Sequence, residues 1–200
     1  MIQKIPALAQ LLKVLQQVPY LASKNLYRVA TYFLTLDEHN IEQFCKTLLL
    51  VKKTIVPCQI CFVWKQKGVD CVFCSAPKRD QHIVCVVESW QELLSIEKTE
   101  GYTGVYHILG GLICPLEGIG PDDLTISALA KRVEENKIQE IILAFNQTPE
   151  GEATAAFIAR TLKVFSVKIS CLARGMPVGS SLETMDRLTV YKALSERKPF

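Results

Sequence analysis

The sequence predicts a multi-part α/β protein: a helical N-terminal unit, a four-cysteine loop, a parallel-sheet domain and a C-terminal amphipathic helix. Three observations carry this prediction. Apolar residues recur at helical spacing up to residue 55, two Cys-x-x-Cys pairs follow, and short apolar runs then alternate with amphipathic stretches. We therefore divide the chain into residues 1–55, 56–80, 81–175 and 176–200.

The N-terminal residues 1–55 contain three apolar faces of helical spacing, separated by Pro19 and by the polar stretch 37–40. The faces are formed by Ile5, Leu8, Leu11, Leu12, Leu15 and Val18; by Leu26, Val29, Ala30, Phe33 and Leu34; and by Ile41, Phe44, Cys45, Leu48 and Leu49. This pattern predicts a small unit of three helices.

The composition is that of an ordinary folded protein, with 49% hydrophobic and 22% charged residues in a chain of 200. It excludes disordered and collagen-like classes, and no apolar run reaches the roughly 18 residues of a membrane span. Polar residues interrupt the leucines of the first 18 positions, which do not resemble a signal peptide. We therefore expect a cytoplasmic protein with no membrane association.

The charge is distributed unevenly along the chain. The first 80 residues hold 11 basic and 5 acidic side chains, whereas the other 120 hold 12 basic and 15 acidic ones. The excess of basic residues in the first 80 positions indicates that a polyanionic partner would bind the N-terminal part of the protein. An asymmetry of this size is equally typical of solvated helix faces.

Four of the eight cysteines have the spacing of a metal site: Cys58 and Cys61, then Cys71 and Cys74. Two such pairs can place four thiolates around one tetrahedral Zn²⁺, which leaves no position for substrate, so the sequence predicts one structural zinc ion. Disulfides and a redox pair are the alternatives, and a reducing cytoplasm disfavours the first. Lysines and an arginine flank the loop, where they could screen the thiolates or contact a phosphate backbone.

After residue 80 the alternation of apolar runs and helical stretches predicts a parallel sheet covered by helices. The predicted strands are 83–87, 105–109, 138–143 and 167–171, and the predicted helices are 90–96, 126–133 and 153–162. In such sheets the functional edge is the carboxyl end of the strands.

Three acids fall at that edge: Glu88 follows the first predicted strand, and Glu150 and Glu152 follow the third. We expect them to converge on one rim, where carboxylates could hold Mg²⁺ for phosphoryl chemistry. The alternative is that Glu150 and Glu152 only stabilise the first turn of the next helix.

The order of these parts resembles the RecR family of bacterial recombination mediators. Besides the four cysteines, the matching segments are Pro77-Lys78-Arg79-Asp80, Val86-Val87-Glu88, Ile96-Glu97-Lys98-Thr99, Tyr106-His107-Ile108-Leu109-Gly110-Gly111, Pro115-Leu116-Glu117-Gly118-Ile119-Gly120-Pro121, Glu150-Gly151-Glu152-Ala153-Thr154 and Leu172-Ala173-Arg174-Gly175-Met176-Pro177-Val178-Gly179. They follow one another in order over about 70% of the chain.

This resemblance implies a Toprim domain at residues 81–175 and a homo-oligomer, a tetramer or a dimer, that can encircle DNA. It also implies a non-catalytic role with RecO, and in some pathways RecF, in helping RecA to replace single-strand-binding protein at gaps. Toprim enzymes carry an Asp-x-Asp pair where this chain has Asn146 and Thr148. The loss of those charges favours binding over catalysis.

The chain departs from the family in its first motif, a helix-hairpin-helix whose two glycines bring backbone N–H groups to a DNA phosphate. The aligned stretch runs from Pro19 to Ala30 and lacks both glycines, but it keeps Lys24 and Arg28 on one helical face. We expect this pair to contact DNA, although an ordinary exposed helix face has the same pattern.

Three functions are compatible with the sequence. The leading one is a non-catalytic DNA-binding mediator of recombinational repair. The second is a Mg²⁺-dependent Toprim nuclease or primase that uses Glu88, Glu150 and Glu152. The third is a zinc-stapled module that binds only proteins, with the acidic rim as a docking surface for a basic partner such as RecO.

The C-terminal segment 176–200 has apolar residues at helical spacing, which predicts an amphipathic helix suited to a subunit contact. The residues of this apolar face are Leu182, Met185, Leu188, Tyr191 and Leu194.

Overall fold

A computed structural model describes residues 5–135, 137–173, 175–177 and 179–197. Two positions of the matching segment 172–179, Arg174 and Val178, lie outside the described residues, as do the last three residues of the C-terminal segment. The chain divides into two compact units between Ile55 and Val56, and each unit is described separately below.

The first unit contains three helices, α1 (Pro6–Leu15), α2 (Ser23–Thr35) and α3 (Glu38–Thr54), as predicted. Leu12 and Leu15 of α1 pack against Leu26 and Ala30 of α2 to form a small core. Asp37 caps α3 by accepting a hydrogen bond from the Asn40 backbone N–H at 2.9 Å. The Phe44 ring of α3 lies 5.3 Å from the Phe33 ring of α2, but no residue of α3 is buried by the described chain.

A two-stranded sheet is formed by β1 (Ile55–Pro57), of which Val56 and Pro57 open the second unit, and β2 (Trp64–Gln66). A four-stranded parallel sheet follows, made of β3 (Asp80–Val87), β4 (Gly104–Ile108), β5 (Glu140–Ala144) and β6 (Lys168–Cys171) in the order β4-β3-β5-β6. Helices α4 (Trp90–Glu97), α5 (Ile126–Glu135) and α6 (Pro149–Leu162) connect the strands. The predicted parallel sheet and the mixed α/β class are confirmed.

The sheet buries both faces because its strands alternate between two apolar clusters. Val84 and Val86 of β3 pack with Leu129 of α5 and Ile158 of α6. Cys85 and Val87 point the other way and pack with Leu93 of α4 and with the four-cysteine loop. Burial on both faces explains the continuous apolar runs. It also makes Cys85 a buried small side chain.

The C-terminal helix α7 (Arg187–Ser195) begins later than the apolar spacing predicts. Asp186 caps it by accepting a hydrogen bond from the Thr189 N–H at 2.9 Å. Leu182 therefore lies in a separate 3₁₀ turn, and Met185 has an extended backbone. Leu188, Tyr191 and Leu194 do form an exposed apolar face on α7.

His107 lies on β4 with none of its surface exposed. Burial, followed by the positive charge of Arg132, lowers its pKa from 6.5 to about 3. Nε2 lies 2.9 Å from Thr125 Oγ1 and 3.2 Å from the Thr125 carbonyl oxygen, while Nδ1 has no hydrogen-bond partner among the described residues. Because a carbonyl oxygen only accepts, we assign the proton of the neutral ring to Nε2.

We expect His107→Gln to make the fold less sensitive to acid. The folded pKa of about 3 is lower than the 6.5 of an ordinary histidine, so protons bind preferentially to the unfolded chain. The free energy of unfolding therefore has its full value above pH 6.5 and decreases as the pH drops towards 3. At pH 5 the loss due to His107 is about 2 kcal/mol. Denaturant unfolding gives the free energy of unfolding at pH 7 and at pH 5. The difference between these two values should be smaller by that amount in the variant than in the parent.

The parent protein is the control for this prediction, because acid sensitivity of the cysteine site is common to both proteins and cancels in the comparison. An equal loss of stability in parent and variant between the two pH values would contradict it.

Candidate metal centre and nucleic-acid surface

The structure brings the four predicted cysteines together. Their Sγ atoms all lie within 4.8 Å of one another, with 4.0 Å between Cys58 and Cys74 and 3.5 Å between Cys61 and Cys71. Four sulfurs at about 2.3 Å from one Zn²⁺ are about 3.8 Å apart, which these two distances bracket. The donor set and its spacing therefore fit a closed tetrahedral metal site.

Local backbone hydrogen bonds shape the first cysteine pair. The Cys58 N–H donates to the Val63 carbonyl at 2.8 Å, and the Phe62 N–H donates to the Cys58 carbonyl at 2.9 Å. Phe62 takes a left-handed backbone conformation, with φ of 61°. The chain thus reverses tightly enough for Cys61 to face Cys58 across the site.

The cysteine loop is attached to the edge of the parallel sheet. The Ile108 N–H of β4 donates to the Cys61 carbonyl at 2.9 Å, and the ring of Phe73 packs edge-on against Tyr106 with centroids 5.3 Å apart. The loop and the sheet therefore share one core.

Arg79 joins the loop, α4 and β4. Its guanidinium donates to Glu97 at 2.6 Å and to the Gly104 carbonyl at 2.9 Å, and it lies 4.9 Å from the centre of the Phe73 ring. Tyr106 donates its hydroxyl to the second oxygen of Glu97 at 2.6 Å. In the sequence Arg79 is visible only as a cation beside the cysteine loop and as part of a matching segment. Its partners lie 6 to 25 positions away along the chain, and residue spacing cannot reveal them.

The basic pair predicted to contact DNA lies on the outside of the first unit. Lys24 and Arg28 are both exposed on α2, one turn apart, and Tyr27 beside them is also exposed. Two exposed cations on one helix face can bind phosphate oxygens.

The turn before α2 keeps one feature of a glycine hairpin. Tyr20 occupies the position of the first missing glycine and has φ of 65°, in the left-handed region that glycine adopts without strain. The backbone there retains the glycine conformation, while the Tyr20 side chain is fully exposed.

The three rim acids do not form the expected metal-binding group. Among the described residues, the four cysteines form the one set of three or more ligand side chains that could hold a metal ion. Glu152 pairs with Lys192 of α7 at 2.7 Å, and Glu150 lies in the first turn of α6. Glu150 and Glu152 lie where the alternative predicts, in the first turn of α6, where carboxylates stabilise a helix N-terminus.

Glu88 instead meets Asn146, because β3 and β5 are neighbours in register and each side chain follows its strand. Partial burial, then the charge of Glu92, raises the pKa of Glu88, and a hydrogen bond from the Asn146 side chain opposes this. Thr148 caps α6 by accepting from the Gly151 N–H at 3.1 Å. Asn146 and Thr148 stand at the two positions that are acidic in Toprim enzymes. In this chain Asn146 forms a hydrogen bond with Glu88, and Thr148 caps helix α6.

Gly151 is required by the same turn. A Cβ there would overlap the Asn146 carbonyl oxygen, so no larger residue fits between Glu150 and Glu152 without moving the backbone.

No helix in the described part of the chain combines the length and apolar character of a membrane span.

Comparisons with known proteins agree with this architecture. Residues 82–173 match the Toprim domain, and residues 175–198 match the family described as RecR, C-terminal. The first match places the chain among proteins built on a Toprim domain.

Whole-chain relatives narrow the class further. The chain is 39% identical over 188 residues to Recombination protein RecR of Tropheryma whipplei strain TW08/27, with 94% of each chain covered. It is 38% identical over 193 residues to Recombination protein RecR of Gloeothece citriformis, with 96% of each covered. This chain belongs to the RecR family of recombination proteins.

Proposed function

We propose that the protein is a non-catalytic DNA-binding mediator of recombinational repair. Working with RecO, and in some pathways RecF, it helps to load RecA onto gaps covered by single-strand-binding protein. Membership of the RecR family supports this role. The single observation that carries the DNA contact is the exposed pair Lys24 and Arg28 on a hairpin that keeps the backbone conformation of a glycine turn.

We expect the double variant Lys24→Ala/Arg28→Ala to bind DNA about tenfold to a hundredfold more weakly at low salt, because two phosphate contacts are lost. The slope of log affinity against log salt should become less steep by about two. Fluorescence anisotropy with labelled oligonucleotides at several salt concentrations measures both quantities. Sequence should matter little, because phosphate contacts carry no sequence information.

The matched control is Lys13→Ala/Lys163→Ala, which removes the same charge from exposed positions outside α2 and outside the cysteine loop. Its affinity should change much less. Equally weakened DNA binding in both double variants would show that affinity depends on the total positive charge of the protein. Unchanged DNA binding by Lys24→Ala/Arg28→Ala would place the contact elsewhere.

We further propose that the metal at Cys58, Cys61, Cys71 and Cys74 is one structural Zn²⁺ per chain. Four thiolates select soft or borderline cations and close the coordination sphere, so the ion would stabilise the loop rather than act on substrate. The hydrogen bond to Cys74 and burial raise the pKa of the Cys61 thiol, so metal binding releases protons.

The assignment as a non-enzyme is supported by what the rim acids do. Glu88 has Asn146 as its neighbour and Glu152 is paired with Lys192. Among the described residues, the carboxylates form no group like that of a two-metal site. Incubation of zinc-loaded protein with Mg²⁺ and single-stranded, double-stranded and gapped DNA should give neither cleavage nor extension. Activity abolished by Glu88→Gln would overturn this.

We propose that the protein acts as a homo-oligomer, a tetramer or a dimer that encloses DNA. Helix α3 buries none of its 17 residues, and an apolar cavity of about 950 Å³ opens between the three helices of the first unit. A second copy would cover these side chains. Light scattering with and without DNA tests this: a monomer under both conditions would contradict it. We place the protein in the cytoplasm, bound to the nucleoid when it is on DNA.

A further inference from the structure

A cavity of about 440 Å³ lies between the four-cysteine loop and the carboxyl end of the parallel sheet. Its aromatic walls are Phe62 and Trp64 from the loop and Trp90 from the start of α4. The Trp64 side chain is 53% exposed, although it belongs to the type of residue that dominates binding energies at protein interfaces. Both tryptophans of the chain line this cavity.

Among the described residues that line the cavity, one is charged: Glu88, at the end of β3. Partial burial raises its pKa, which means that its negative charge is poorly solvated. The described lining residues include no lysine, arginine or histidine, and Arg79 of the same unit is paired with Glu97. Glu92 is engaged by Ser89, whose backbone N–H donates to it at 2.9 Å, so it offers little to a ligand.

This combination of groups selects a particular chemistry. Aromatic faces attract a cation through their quadrupoles, and a half-buried carboxylate forms its strongest hydrogen bonds with a planar guanidinium. A divalent metal ion would need several oxygen ligands, and Glu88 belongs to no such group within the described chain. A nucleic-acid phosphate would be repelled by the carboxylate.

We propose that this cavity binds the guanidinium of an arginine side chain, presented by a basic segment of a protein partner. The aromatic rings receive its planar face and Glu88 accepts its N–H groups. The inference rests on the proposed role as a mediator that works with protein partners. It is independent of the DNA contact, whose residues belong to the other unit.

The test is a titration of the whole zinc-loaded chain with an octa-arginine peptide, followed by tryptophan fluorescence. Because both tryptophans line the cavity, their emission reports occupancy directly. We expect a saturable change in emission, and we expect Glu88→Gln to weaken binding by about tenfold or more. Trp64→Leu should weaken it severalfold while Trp90 still reports binding. Glu117→Gln, an exposed acid outside the cavity, is the matched control and should bind like the parent.

Three outcomes would overturn the proposal. One is an emission change that Glu88→Gln and Glu117→Gln reduce equally, which would show general attraction to an acidic surface. A second is Mg²⁺ alone binding in a Glu88-dependent way and excluding the peptide. The third is a single-stranded oligonucleotide, but not the peptide, altering the emission through Trp64.

Anisotropy measured on the same samples separates this inference from the proposed function. Normal DNA binding with no peptide binding overturns the inference alone. Peptide binding that depends on Glu88, without any DNA binding, would overturn the DNA contact alone.

Discussion

Replacing Cys61 with serine is expected to abolish metal binding and to unfold the cysteine loop. The Cys61 side chain is fully buried, its sulfur lies 3.5 Å from that of Cys71, and its carbonyl anchors the loop to β4. Metal binding contributes about 10–16 kcal/mol in small cysteine sites, and a three-thiolate remnant no longer closes the tetrahedron. Zinc content should fall from about one equivalent to about 0.1 or less, measured by metal analysis after dialysis.

Cys171→Ser is the matched control, because Cys171 is exposed and lies outside the four-cysteine group. It should retain a full equivalent of zinc and the stability of the parent. Hydrogen exchange should show lost protection at Ile108 in the Cys61 variant and none in the control. Full zinc content in Cys61→Ser would mean that the ligand set is wrong.

Arg79→Ala is expected to destabilise the second unit by about 3 kcal/mol, because removing one partner of a largely buried ion pair leaves the other without compensation. Arg79 and Glu97 have side chains only 19% and 27% exposed, so water replaces little of the lost interaction. The Gly104 carbonyl loses a hydrogen bond as well. Denaturant unfolding followed by tryptophan fluorescence measures this change. The signal reports the unfolding of the second unit, because Trp64 and Trp90 both belong to it.

Two variants separate geometry from charge at this position. Lys78→Ala removes a neighbouring exposed cation and should change stability by less than about 0.5 kcal/mol. Arg79→Lys keeps the charge but carries its donors on one nitrogen, whereas two nitrogens of Arg79 reach Gly104 and Glu97. Its stability should therefore lie between those of the parent and the alanine variant. A stability loss in Arg79→Ala no larger than that in Lys78→Ala would refute the role given to the pair.

The parts of the fold that the sequence predicts are those governed by local chemistry. Strands 83–87 and 138–143 are predicted because burial on both faces demands a continuous apolar run, and the structure places β3 and β5 there with small changes at the ends. The cysteine site is predicted because the metal sets the spacing of its own ligands.

The parts that were missed depend on contacts between distant residues. The three rim acids follow the right strands, but Glu152 is drawn to Lys192 of the C-terminal helix, 40 positions away, which no local pattern shows. One link from the cysteine loop to β4 is the backbone hydrogen bond between Ile108 and Cys61, which depends on no particular side chain and so leaves no pattern in the sequence. The apolar spacing extends upstream of the start of α7, because spacing alone does not show that Asp186 is the N-cap of this helix.

The attachment of the cysteine loop to β4 has a consequence for aggregation. Strand β4 is an outer strand of the sheet, and all five of its residues are buried. An uncovered apolar edge of this kind can pair with the same edge of another chain, and the loop held by the four cysteines occupies that edge at Ile108. Oxidation of the thiols or chelation of the metal would therefore expose a self-complementary edge, and the first visible sign of a damaged metal site would be loss of the protein as insoluble assemblies.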